Sequence, residues 1–349
     1  MTSLTTGRGC ARRALLRQGT AFATGCAVQG WLRAQPAVQS VLAVPGPHNS
    51  VSFPLELAVQ LGFDRDGGVP LRLKFVGGGG VVIQDIRSGN AEFGVFGLPA
   101  LMRANLIGGA QLAALAAIDD LPLYTLVVRA DLRGSIRRIA DLAGRTLGVH
   151  SSTLQARTTS HQLAELLLLR AGVDLGRVKF LAAGQSWETQ AAMLVSRSVD
   201  ASVCDEPFAT RMVTEGLAVR LFSTGNPADV REVPGTGFLR AVLVALRDRA
   251  EAAPERCERL VRVVQRTLAW IATNPPAAMA DALGLKDAER DAFLAVANEF
   301  PRQYSRDARF STAQLAETVT FFRASNPDLR AAPVPIGDMV MDRWSGRRP

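Results

Sequence analysis

Histidine and cysteine are scarce in this chain: 349 residues include three and four of them. His48, His150 and His161 stand apart, with no CxxC or HExxH spacing, so no metal-ligand pattern is present and no cofactor is expected. Cys10 and Cys26 lie near the N-terminus, and the remaining pair, Cys204 and Cys257, is expected as buried or half-buried free thiols, since nothing in the spacing asks for a disulfide. No nucleophile is placed with a base and an orienting acid, which leaves a catalytic triad without support and predicts that the chain is not an enzyme. The mildly apolar stretch over residues 20–32 is too short and too polar to span a bilayer.

Excess charge is also less than it looks. Forty basic residues against 32 acidic ones give +8, but Arg8, Arg12, Arg13, Arg17 and Arg33 lie in residues 1–37, where there is no acid. Without those five the balance is 35 to 32, with no basic run carrying interleaved aromatics, so nucleic acid is excluded as a partner. The basic N-terminus itself reads as an export signal. Arg12 and Arg13 followed by Leu15, Leu16 and Arg17 resemble the twin-arginine translocation motif, with Ala34 and Ala37 as cleavage points. A lipoprotein signal with Cys26 lipidated, or a loose tail, are the competing readings.

What is present is a repeat. Residues 86–99 align without a gap on residues 194–207, each running from a helix end through an acid (Glu92, Asp200) and a short apolar strand to a proline (Pro99, Pro207). Backwards from there the order also matches. A strand near 41–44, a helix ending near Gly62, a strand over 71–76 and the glycines 77–80 correspond to a strand over 145–149, a helix ending near Gly172, a strand over 178–181 and Gly184-Gln185. At this length a single core has stopped growing, so two lobes are expected. Alternation of helices with near-continuous apolar strands predicts parallel strands covered on both faces, hence an α/β protein of two doubly wound lobes with a cleft between them.

The expected division is an export signal over 1–37, a discontinuous first lobe of 38–128 plus 240–340, a second lobe of 129–239, and a loose tail over 341–349. Residues 141–144 read as a short helix feeding the first strand of the second lobe. In the last third, Pro254 opens a helix whose apolar Leu260, Val263, Val264, Thr267, Leu268 and Ile271 recur at helical spacing, and the helices after it are expected to pack on the first lobe. Two chain crossings then form the hinge, one near residues 127–129 and one within 221–243.

In open α/β sheets ligands bind outside the carboxyl ends of the strands, so the loops there hold the candidate ligand contacts. In the first lobe these are His48, Asn49 and Ser50; Gly78 and Gly79; Phe96, Gly97 and Leu98; and Asp119. In the second they are Ser151, Ser152 and Thr153; Gln185 and Trp187; and Asp205 with Glu206. Ser151, Ser152 and Thr153 suit an anionic head group at a helix start, or serve as an ordinary helix cap. The four glycines allow close backbone approach, or a plain flexible turn, but no Lys-Ser/Thr follows to make a nucleotide loop. Asp205 and Glu206 suit an amine or ring N–H donor, or cap the helix that follows, and Trp187 stacks on a flat ligand or packs at a helix start.

Three segments resemble a known family. Residues 83–94 (helix, Gly, acid, Phe, Gly), 139–149 (Asp-Leu-x-Gly-basic-x-x-Gly-Val) and 199–207 (Val-Asp-Ala, then Pro after a strand) are similar to the periplasmic substrate-binding proteins of ABC importers, in the branch for sulfonates, taurine, nitrate and thiamine-precursor pyrimidines. The resemblance covers about residues 40–300. It implies the type II periplasmic-binding fold, a monomer that closes on a small-molecule ligand, and delivery to an ABC permease in the membrane. The family's ligand loops coincide with His48-Asn49-Ser50, Phe96-Gly97-Leu98, Ser151-Ser152-Thr153 and the acid beside Pro207. Many relatives carry an aromatic two residues before that proline, where this chain has Asp205, so ligand identity does not transfer. A pyrimidine-synthase-like enzyme of the same fold depends on a Cys-rich segment that this chain lacks. A sensory ligand-binding protein is the third possibility.

Overall fold

The computed structural model describes residues 39–349; the segment expected to be an export signal, with Cys10 and Cys26, lies outside the described residues. From β1 (Ser40–Val44) the chain runs through α1 (Phe53–Gln60), α2 (Phe63–Asp66), β2 (Leu71–Phe75), α3 (Gly79–Ser88), β3 (Phe93–Gly97), α4 (Leu98–Gly108) and β4 (Leu112–Ala117). Then come β5 (Tyr124–Arg129), β6 (Thr146–Val149), α5 (Thr159–Arg170), β7 (Lys179–Ala182), α6 (Trp187–Val195), β8 (Ala201–Asp205), α7 (Phe208–Thr214), β9 (Ala218–Ser223) and α8 (Pro227–Glu232). The last third holds β10 (Ala241–Leu246), α9 (Arg247–Ala252), α10 (Pro254–Thr273), α11 (Pro276–Ala282), α12 (Asp287–Glu299), β11 (Phe310–Ser311), α13 (Thr312–Ser325), α14 (Ile336–Met339) and β12 (Arg347–Arg348).

Two five-stranded sheets have equivalent orders, β2-β1-β3-β10-β4 and β7-β6-β8-β5-β9. The repeat read from the sequence superposes β3 on β8, and in each sheet that strand lies parallel to the first strand of its repeat, β1 or β6. On its other side it meets an antiparallel strand, β10 or β5. Each sheet is apolar on both faces because both are covered. In the first, Leu42, Val44, Phe93 and Val95 pack toward α1 and α10, while Ala43, Phe96, Ala114 and Val242 pack toward α3 and α4. In the second, Leu147, Val149 and Val203 meet the leucines of α5, and Val127 and Cys204 meet Phe208 and Met212 of α7. The doubly wound α/β fold expected from the alternation is thus present. Cys204 and Cys257 are buried free thiols, pushed up by burial to about 12 and about 11.

Three details differ from the reading of the sequence. Strand β5, placed there at the first crossing, spends the hydrogen bonds of both its edges on β8 and β9, so the chain leaves the first sheet before it, in residues 118–123. The expected loose tail is docked: Met341 N–H donates to the Ala114 carbonyl at 2.8 Å, and β12 pairs with β11. Residues 341–349 gain these bonds because Met341 and Trp344 pack on the first core. Finally, α13 lies against both α4 and α5, with Phe322 in the first lobe's core and Phe321 in the second's, stacked 4.0 Å from Phe238. The lobes are therefore tied by a helix as well as by two chain crossings. Among the described residues no helix is long and apolar enough to cross a membrane.

Candidate functional site

The carboxyl ends of β1, β3, β6 and β8 meet the starts of β5 and β10 between the sheets, and a buried charge cluster sits there. Arg240, the residue before β10, is 1% exposed. Its Nε donates to Asp119 Oδ2 at 2.7 Å, and one terminal nitrogen donates to Asp205 Oδ1 at 3.0 Å and Ser50 Oγ at 2.9 Å. Asp205 Oδ2 lies 2.8 Å from His150 Nδ1. Asp119 and Ser50 belong to the first lobe and Asp205 and His150 to the second, so Arg240 bridges them. Burial pushes the Asp119 carboxyl up to about 6 against the pull of Arg240. Burial would raise Asp205 too, but His150 and Arg240 together outweigh it and hold this carboxyl below the ordinary range.

Beside the cluster lies an inter-lobe cavity of about 30 Å³, room for little more than a water molecule. Three helices begin at its wall: α3 with Gly79, α4 with Gly97 and Ala100, and α5 with Thr158, Thr159 and Ser160. The first N–H groups of α3 and α5 lack intrahelical partners, whereas in α4 the Leu98 N–H is spent on the Arg240 carbonyl at 2.8 Å and Pro99 has none, so that helix contributes chiefly its dipole; all three present positive ends to the cavity. The lobes are closed onto each other here. A Cβ built on Gly97 would stand 1.9 Å from Thr159 Oγ1, and one on Gly46 would stand 2.2 Å from the Gln185 carbonyl oxygen.

Of the residues singled out in the sequence, Gly79, Phe96, Gly97, Gln185 and Asp205 line this cavity. Ser50 and Asp119 stand behind it in the charge cluster. The others lie elsewhere. Asn49 is spent on its own loop, its amide donating to the Gly46 carbonyl at 3.0 Å and its Oδ1 accepting from Val51 and Ser52. Leu98 is core, Gly78 packs against Ser152, and His48 pairs with Glu289 at 2.6 Å and Glu56 at 3.4 Å. Ser151 closes its loop through a 2.7 Å bond to the Thr153 carbonyl, and Ser152 and Thr153 border an outer groove instead. Trp187 carries the Arg211 guanidinium over its ring at 3.9 Å.

Glu206 is occupied too: Oε1 accepts from the Thr125 hydroxyl at 2.7 Å and Oε2 from the Thr210 N–H at 3.0 Å, which caps the start of α7. Glu206→Ala is therefore expected to cost about 1–2 kcal/mol of stability through the lost cap and the orphaned hydroxyl. An unchanged urea midpoint would contradict that role.

Tyr124, Arg240 and the hydroxyls of Thr158, Thr159 and Ser160 were missed as site residues, and His150, which opens the candidate loop carrying Ser151 to Thr153, was not itself singled out. The signal for the hydroxyls was the right one at the wrong place: the helix after β6 begins at Thr159, not directly after Ser151.

Further along α5, His161 is 7% exposed against Phe180, with ring centroids 4.7 Å apart. Burial first, then the charges of Arg157 and Arg103, lower it to about 4 from 6.5, while Glu165, 3.5 Å away, is engaged by Arg157. A depressed histidine is fully compatible with the fold above its unfolded value and opposes it as the pH falls from 6.5 toward 4. The loss should reach up to about 3 kcal/mol over that window. His161→Phe is expected to flatten the stability profile there, and an unaltered slope in denaturant titrations at each pH would refute the assignment.

The model of the NMT1/THI5-like family matches residues 49–278. No curated protein sequence matches the chain. Among solved structures, a protein from Bordetella bronchiseptica RB50 superposes with TM-score 0.79 at 20% identity, covering 89% of this chain and 96% of that one. The alkanesulfonate-binding protein SsuA from Xanthomonas axonopodis pv. citri, bound to MOPS, gives TM-score 0.66 at 19% identity, covering 90% and 100%. A structure named desulfurization enzyme DszB gives 0.56 at 18%, covering 88% and 97%. At these identities the likeness carries the fold, and binding proteins and an enzyme share it.

Proposed function

Because this chain belongs to the NMT1/THI5-like family, we propose that it is an extracytoplasmic solute receptor that closes on a small anion between its lobes. The observation that carries this reading is the convergence of three helix N-termini on one cavity whose nearby carboxylates are already engaged. Both Asp205 oxygens and both Glu206 oxygens have donors within the protein, so a ligand amine would find no uncommitted carboxylate oxygen, whereas anion oxygens meet the unspent N–H groups that open α3 and α5. The sulfonate ligand class of the Xanthomonas neighbour is consistent with that polarity. In this reading residues 1–37 direct export, through the twin-arginine motif or a lipidated Cys26, and the monomeric receptor hands its ligand to an ABC permease.

Nitrate, methanesulfonate and acetate should raise the melting temperature of the mature protein, whereas amines should not. A ligand at a hundredfold excess over its Kd stabilises by about 2.7 kcal/mol. Stabilisation by amines or neutral pyrimidines alone, or turnover of any of these compounds, would overturn the proposal. The His150–Asp205 pair is the one feature that favours an enzyme, since it has the form of a general base with its orienting acid. Against it, no hydroxyl or thiol among the described residues is hydrogen-bonded to Nε2 as a nucleophile.

A further inference from the structure

We infer that the cavity takes up its anion together with a proton, carried on His150, so that the imidazolium Nε2–H and the Thr159 hydroxyl donate to the ligand while Asp205 balances the charge from behind. The inference rests on the anion-receptor reading and specifies how that site is controlled.

Two side chains at the cavity wall have an unused polar atom. His150 and Thr159 are each 3% exposed, and neither His150 Nε2 nor Thr159 Oγ1 has a hydrogen-bond partner among the described residues. A buried polar atom left unsatisfied costs about 1–3 kcal/mol, a cost that a ligand filling the cavity would recover. The ring of His150 is fixed in place. Gln185 and Ser160 both donate to its backbone carbonyl, at 2.6 Å and 3.0 Å, and Phe208 packs edge-on with centroids 6.4 Å apart. Nδ1 faces Asp205, whose carboxylate accepts, so Nδ1 is the donor of that pair. The state of Nε2 is then the single variable: a lone pair in neutral imidazole, an N–H in imidazolium.

The charges around the ring decide which state an anion selects. Asp205 touches it, Arg240 and Asp119 stand behind Asp205, and Tyr124 lies at the cavity wall with Arg240 over its ring at 5.4 Å. With both carboxylates ionised, this group carries one net negative charge when His150 is neutral and none when it is protonated. An anion entering beside a neutral ring would therefore meet a like charge and a lone pair. Entering beside imidazolium, it meets a donor and a neutral cluster, so binding and protonation are thermodynamically linked.

Nitrate and methanesulfonate are suitable probes because, as anions of strong acids, they bring no proton of their own. Calorimetric titration of the wild-type protein with each, in two amine buffers of different protonation enthalpy, counts the protons taken up. We expect proton uptake with each anion and an affinity that falls as the pH is raised. His150→Gln supplies an N–H at any pH and should bind with affinity independent of pH. If that variant does not fold, the wild-type proton count decides alone. Binding without uptake, and with flat affinity between about pH 6 and about pH 9, would overturn the coupling but leave the receptor reading standing. Uptake persisting in a folded His150→Gln would overturn the assignment to His150. Failure of every anion to bind would overturn the receptor reading itself.

Discussion

Arg240→Met should destabilise the protein by about 3–5 kcal/mol at neutral pH, because it leaves two buried carboxylates, Asp119 and Asp205, without the cation they share. The substituted side chain is of similar length, so little of the loss would come from packing. Asp119 is already raised to about 6 by burial and would rise further without Arg240, and Asp205, now held below the ordinary range, would lose one of the two cations that keep it there. The sign of the pH dependence follows: a carboxyl raised in the folded state takes up its proton there before the unfolded chain does, so the deficit of Arg240→Met shrinks as the pH is lowered through the raised value. Adding Asp119→Asn and Asp205→Asn should recover part of the loss. Urea midpoints of the single and triple variants check both statements. A loss below about 1 kcal/mol would mean that the cluster contributes little to holding the lobes together.

The second large effect is expected at the glycines where the lobes touch. Gly97 has φ −71° and ψ 131°, a conformation open to any residue, so a side chain there is no strain within the first lobe. Its Cβ would nonetheless collide with Thr159, as the Cβ of residue 46 would collide with the Gln185 carbonyl. Gly46→Ala combined with Gly97→Ala should therefore leave each lobe folded and penalise only the closed state. With about 1–3 kcal/mol for each intrusion into a packed contact, affinity for nitrate or methanesulfonate should fall about 10²-fold or more. The radius of gyration from solution scattering with anion present should stay at the open value. Unchanged affinity would show that closure does not bring these backbones together, and collapse of the melting transition would show that the glycines serve folding instead.

Most of the architecture was legible because it depends on period and order. The gapless match of residues 86–99 to 194–207 is the match of β3 to β8, and the equivalent sheet orders follow from it. The stripe of Leu260, Val263, Val264, Thr267 and Leu268 is the buried side of α10, as its spacing requires. The site was less legible because its bonds join distant positions. Arg240 reads as one basic residue before a strand, yet its partners Asp205, Asp119 and Ser50 lie 35, 121 and 190 residues away. The Ser151 to Thr153 hydroxyls carried the right composition for a helix start, but they close a local turn, and the helix begins at Thr159. Within the repeat, Gly97 and Asp205 occupy the same place in the two copies. The first makes room for Thr159 and the second holds His150, so a symmetric scaffold supplies two unlike halves of one site.

A crystal structure of the mature protein grown with methanesulfonate or nitrate tests the central claim most directly. It should show the anion between the lobes, in a cavity widened beyond its present volume of about 30 Å³ by their parting, at the starts of α3, α4 and α5, with oxygens within hydrogen-bond distance of His150 Nε2 and Thr159 Oγ1. An anion bound only on the outer surface, or a cleft that admits a cation against Asp205 and excludes both anions, would contradict it.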